Sequence, residues 1–134
     1  QWPEEPTKRK PRPRGPDRET VAKVLIRDDG RCVVCGGELY GQRAMDWSVH
    51  HRRGRDGKPD SHEIQNLISV CGSDNQSGCH SRIHQRRSEA RPNGWWLSRV
   101  AGEDPLTIPV LVGHGSRWVY LTADGRYSDD PVTL

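Results

Sequence analysis

Residues 66–84 read Asn66-Leu67-Ile68-Ser69-Val70-Cys71, then a polar interval from Gly72 to Gly78, then Cys79-His80-Ser81-Arg82-Ile83-His84. Two chemistries interleave here. Cys71 and Cys79 form a stretched thiol pair, and a second pair, Cys32-Val33-Val34-Cys35, stands upstream with the two-residue spacing of a metal knuckle. Cys79 to about Ala90 has helix character, stopped by Arg91-Pro92-Asn93-Gly94. His80 and His84, four apart, then share one helical face. Upstream, Trp47-Ser48-Val49-His50-His51 reads as a strand ending in two more histidines.

The rest of the chain explains why thiols matter. Of its 134 residues only 31% are hydrophobic and none is Phe, and the mean hydropathy is −0.92. Such a chain buries little apolar surface against the entropy of ordering itself, and small domains in that position recruit disulfides or a metal. No stretch approaches the roughly 18 apolar residues of a membrane span. Gln1 to Pro6 carry no apolar signal region. These features predict a soluble, cytoplasmic protein with no membrane partner, where thiols stay reduced. Cys32, Cys35, Cys71 and Cys79 are therefore read as ligands of a structural Zn²⁺, in preference to two disulfides. Four thiolates fill the tetrahedral shell of zinc at about 2.3 Å. A filled shell leaves no open position, so any chemistry sits elsewhere.

The histidines supply the second site. Two imidazoles on a helical face and one from a neighbouring strand make a three-ligand site with open positions, the catalytic kind. Successive strand residues point to opposite faces. Either the strand ends or bulges at His50-His51, or only one of the two works at a metal. His62 and His114 are read as ordinary surface residues. His62-Glu63 is not a zinc-protease motif, because position 66 is Asn.

His50-His51, Asn66 to Cys71, and Cys79-His80 with His84 together resemble the HNH endonuclease motif in its four-cysteine form, over roughly residues 27–90. The long Cys71-to-Cys79 interval is similar to HNH proteins of bacteriophages. The resemblance implies a small α+β, ββα-metal fold and one catalytic divalent ion: Mg²⁺, Mn²⁺, Ni²⁺ or Zn²⁺. It implies His51 as general base, with His50, His80 and His84 as metal ligands; some relatives manage with two protein ligands, which leaves His84 open. Asn66 would brace the loop and orient His51, although in some relatives this position touches metal. DNA would be cut to 5′-phosphate and 3′-hydroxyl ends. The implied setting is phage DNA packaging in a bacterial host cell, beside terminase subunits.

Charge fits a polyanionic partner. Net charge is +3, with the basic excess in residues 1–100 and an acidic excess in 101–134. Arg52, Arg53 and Arg55 follow the strand histidines, and Arg82 and Arg86 decorate the helix. These are the candidate phosphate contacts, against the alternative of a solvated basic face. Three segments are expected: a basic arm over 1–19, which either touches phosphates or only solubilises; a nuclease domain over 20–91; and a C-terminal β-hairpin extension over 92–134. A short helix is expected from Val21 to about Asp28, capped by Thr20, and Trp95-Trp96-Leu97 is β-like. The competing functional reading is a non-catalytic, zinc-stabilised nucleic-acid-binding module.

Overall fold

The computed structural model describes residues 15–55, 57–73 and 77–131. Most of the basic arm, including Lys8 to Arg14, lies outside the described residues.

Two strands, β1 (Trp47–His51) and β2 (Leu67–Cys71), pair antiparallel with His50 opposite Ile68 and His51 opposite Leu67. The two-residue period of a strand sends alternate side chains to opposite faces, and each face has its own partner. Leu67 and Val49 pack with Val21 and Val24 of the first helix, α1 (Arg18–Arg27). Ile68 and Val70 pack with Ile83 of α2 (Gly78–Gln85) and with Trp95. The ribbon is thus buried on both sides, and His50 shares the α2 face with Ile68.

Helix α1 starts earlier than expected. Its cap is Asp17, whose carboxylate accepts the Thr20 N–H at 2.8 Å, so Thr20 lies inside the first turn. The helix expected from Cys79 to Ala90 is in fact two, α2 and α3 (Arg87–Ala90), broken where Arg86 leaves helical geometry at φ −124 and ψ 60. With the chain re-aimed there, Ala90 is buried in the main core and Glu89 pairs with both Arg82 and Arg86.

The C-terminal part is more than a hairpin. Strands β3 (Val110–Val112), β4 (Arg117–Leu121) and β5 (Tyr127–Ser128) form an antiparallel sheet in that order. Val110, Val119 and Leu121 are fully buried in the same cluster as Val33, Ile68 and Val70. Trp95-Trp96-Leu97 is not a strand; Leu97 makes one isolated bridge to Arg53. Packing sets its course instead, with Trp95 buried and its indole N–H donating to the Leu111 carbonyl at 2.8 Å.

Two buried polar hubs join these pieces. The Asp28 carboxylate, at the end of α1, accepts from the Arg27 guanidinium (2.9 Å), from Ser69 N–H (3.0 Å) and Oγ (2.9 Å) on β2, and from the Tyr127 hydroxyl (2.6 Å) on β5. Burial and the neighbouring carboxylate push the Tyr127 phenol above its ordinary range, keeping it a donor. The second hub is Arg52, with a relative exposure of 0%. Its guanidinium donates to the carbonyls of Gly94 (2.8 Å), Gln65 (3.1 Å), Pro105 (2.9 Å) and Ile108 (2.8 Å). This corrects the expectation that Arg52 contacts nucleic acid: its side chain is fully buried and all three guanidinium nitrogens donate to carbonyls inside the protein. The result is a small mixed α/β protein, and no helix among the described residues is long and apolar enough to cross a membrane.

Candidate functional site

The four cysteines converge. Cys32 and Cys35 come from the tight turn after α1, Cys71 ends β2 and Cys79 opens α2, and one ligand atom from each lies within 4.8 Å of all the others. All four are free thiols. Cys35 Sγ and Cys71 Sγ are 3.9 Å apart. Sulfurs bound to one tetrahedral ion at about 2.3 Å stand about 3.8 Å from each other, so the spacing suits a metal. Backbone N–H groups already aim at sulfur, Cys35 N–H at Cys32 (3.5 Å) and Cys79 N–H at Cys71 (3.4 Å). The Cys79 thiol beside Cys32 holds Cys32 down to about 5, and Cys79 is pushed up in turn. Burial pushes the Cys35 thiol up as well, so full ionisation of the set would need the metal itself, whose coordination deprotonates a thiol. The cluster could hold a structural metal ion.

A second cluster lies close by. His50 on β1 and His80 and His84 on α2 also bring one ligand atom each within 4.8 Å of one another. Ring centroids are 5.2 Å apart for His50–His80, 5.6 Å for His50–His84 and 4.9 Å for His80–His84. His80 Nε2 and His84 Nε2 are 3.3 Å apart. Nitrogens at about 2.0–2.1 Å from a shared tetrahedral ion would sit about 3.3 Å apart. His50 Nε2 is 2.8 Å from the Trp95 carbonyl. That bond makes Nε2 the protonated nitrogen and leaves Nδ1 for a metal, the usual way an outer partner orients a ligating imidazole. Burial, with His80 alongside, pushes His50 well below the ordinary 6.5, and a neutral imidazole is the ligating form. Trp96 walls the cluster, stacked on His50 at 6.1 Å and carrying the Arg87 guanidinium 4.4 Å above its ring.

His51 answers the strand-alternation problem by standing at the last residue of β1. It is half-buried, opposite Leu67, yet it lines the same cleft of about 640 Å³ as His50, His80, His84 and Trp96. Burial first, then the charge of Arg55, pushes its pKa down to about 3. Its Nε2 is 3.0 Å from His62 Nδ1. The Asn66 side chain makes its hydrogen bonds elsewhere than to the ring. Its amide accepts the Arg53 N–H (2.8 Å) and donates to the Arg53 (2.9 Å) and Ser61 (3.0 Å) carbonyls, fixing the chain on either side of the loop.

The arginines divide. Arg55 lines the cleft. Arg53 is turned inward, bonded to Asp60 (2.8 Å) and the Glu103 carbonyl (3.1 Å) with 17% of its side chain exposed. Arg82 and Arg86 are exposed but pair with Glu89. Sequence reading missed Arg43, which lines the cleft beside His51, and Trp96 and His62. Arg43 lies outside the clusters that drew attention, and His62 meets its partner only through the path of an irregular loop.

Comparison of the chain with known protein families, curated proteins and solved structures returns no match.

Proposed function

We propose that this protein is an HNH-type endonuclease that hydrolyses DNA phosphodiester bonds, built on a ββα-metal unit with a structural zinc ion at Cys32, Cys35, Cys71 and Cys79. One observation supports this above the others: three ligand nitrogens, from His50, His80 and His84, converge at a cleft that also bears a neutral histidine and two arginines, apart from the thiols. A purely structural zinc module has no use for that second set.

His50, His80 and His84 would hold the catalytic ion, which when bound supplies Lewis acidity to the phosphate oxygens. An all-imidazole set favours Ni²⁺ or Zn²⁺ over Mg²⁺ and Mn²⁺, whose preferred ligands are oxygen. His51, neutral at working pH, takes a proton from the attacking water. The water oxygen bonds to phosphorus as the bond from phosphorus to the 3′ oxygen breaks. The leaving oxygen takes a proton from water, giving 5′-phosphate and 3′-hydroxyl ends. Arg43 and Arg55 hold flanking phosphates. A role in phage packaging beside terminase subunits rests on the sequence resemblance alone.

The test is conversion of supercoiled plasmid by the purified chain with EDTA, Mg²⁺, Mn²⁺, Ni²⁺ or Zn²⁺, beside His51→Ala. Metal-dependent nicking that vanishes in a folded, zinc-replete His51→Ala protein supports the reading. DNA binding with no cleavage under any metal overturns it in favour of the non-catalytic module.

A further inference from the structure

His62 ends the 3-10 turn Pro59–His62 and has no part in the ligand set. Its Nδ1 lies 3.0 Å from His51 Nε2, with the rings at 65° and centroids 5.1 Å apart. Two neutral imidazoles share a hydrogen bond only when one ring carries its proton on the bonding nitrogen and the other does not. If His62 donated, His51 would carry its single proton on Nδ1 and accept at Nε2, with no lone pair left for a water. If His51 donates from Nε2, its Nδ1 keeps the lone pair.

We propose that His62 is the positioning residue of His51: its Nδ1 accepts the His51 Nε2–H and thereby makes Nδ1 the basic atom of His51. This rests on the endonuclease reading above. The water's proton goes to His51 Nδ1, and the resulting imidazolium keeps its Nε2–H bonded to His62. A fixed tautomer and ring orientation are what a second group contributes to a histidine base.

The loop is built to hold His62 in place. Ser61 is buried, its hydroxyl donates to the Lys58 carbonyl at 2.7 Å, and its own carbonyl accepts from Asn66 Nδ2 at 3.0 Å. Asn66 therefore reaches His51 in two steps, through the turn that carries His62.

Two readouts test this, on the whole 134-residue chain purified with its bound metal. The first needs no activity: two-bond proton–nitrogen spectra of ¹⁵N-histidine protein, with His51 assigned by its loss in His51→Ala. The expected result is a fixed Nε2–H tautomer for His51 that becomes a mixture in His62→Ala. A Nδ1–H tautomer in the wild type overturns the proposal. The second is plasmid cleavage. His62→Ala should lower kcat about 10- to 100-fold with KM within about twofold, the size of effect typical of an orienting partner. His62→Asn, whose amide oxygen can stand where Nδ1 stood, should restore most of it, and His62→Gln less. Unchanged kcat in His62→Ala, or equal loss in all three variants, overturns the proposal. If the wild type cuts nothing, the nuclease reading falls, and the spectra still decide the His51–His62 pairing.

Discussion

Asn66 and Arg53 grip one another in both directions: the Asn66 side chain accepts the Arg53 N–H at 2.8 Å and donates to the Arg53 carbonyl at 2.9 Å. The second Asn66 donation, to Ser61, means that one buried amide sets both the exit from β1 and the turn before β2. Replacing it with Ala strands these partners in a site with little water. Asn66→Ala should cost about 1–3 kcal/mol in urea unfolding. Cleavage should also fall at temperatures well below its melting transition, because the turn bearing His62 is released. Full activity in the folded variant would show that Asn66 serves stability alone.

Arg52 carries the larger structural consequence. Removing its guanidinium leaves four inward-facing carbonyls, from residues 65, 94, 105 and 108, without a donor. Each buried carbonyl left unpaired costs about 1–3 kcal/mol, so losing the donor to all four removes a large share of the total for a typical domain. Arg52→Ala is expected to be largely unfolded at 37 °C. Arg52→Lys keeps charge but not the planar fork, and should recover less than half of the loss. Chemical denaturation of the Lys variant gives the answer; a value within about 0.5 kcal/mol of wild type would refute the clamp.

Metal removal should proceed in two stages. The histidine cluster opens on a cleft, so a mild chelator should strip its ion with little change in far-ultraviolet circular dichroism. The thiols are buried or half-buried, and an ion held there would contribute to folding itself, as zinc does by roughly 10–16 kcal/mol in small finger peptides. Its removal should unfold the protein. Metal analysis beside the spectra reads both stages, and His84→Ala should lower stoichiometry from two ions to one. Loss of fold together with the first ion would contradict the division of labour.

Acid stability has a specific contributor in Asp60. The Arg99 guanidinium, with Arg53 and Lys58, holds its carboxyl below the ordinary 3.8. A carboxylate whose folded pKa is depressed stabilises the fold above its unfolded pKa, and that contribution is lost as pH falls through the folded value. The difference in unfolding free energy between wild type and Asp60→Asn should be constant above about pH 5 and shrink below about pH 4. A difference that grows on acidification would reverse the sign and reject the pairing.

Both candidate clusters were legible from residue type and spacing. Cys32 and Cys35 share a knuckle, and His80 and His84 share a helical face, so local geometry alone brings each pair together. Strand Trp47–His51 was legible as well, with Val49 and His50 showing the side-to-side alternation of a ribbon. Arg52 was not. Arginine is a surface residue by default, and its burial depends on carbonyls up to 56 positions away that no local pattern announces. The contact of His62 with His51 was not legible for the same reason, since it spans an irregular loop. The break at Arg86 has neither Gly nor Pro to mark it. Trp95 to Leu97 has strand composition, but the chain there bends to seat the Trp95 indole under β3.

Cys79 and His80 are neighbours in the chain yet belong to different clusters, so a single peptide unit links a ligand of one candidate site to a ligand of the other. The dependence this creates runs one way. On the proposed reading, losing a thiol-held ion would loosen Cys79, and with it the start of α2 and His80, whereas an empty histidine cluster would leave the thiols packed as they are. In a cell, scarcity of the thiol-seeking metal would silence the histidine site however plentiful its own ion, whereas shortage of the latter would leave an intact protein waiting to be loaded.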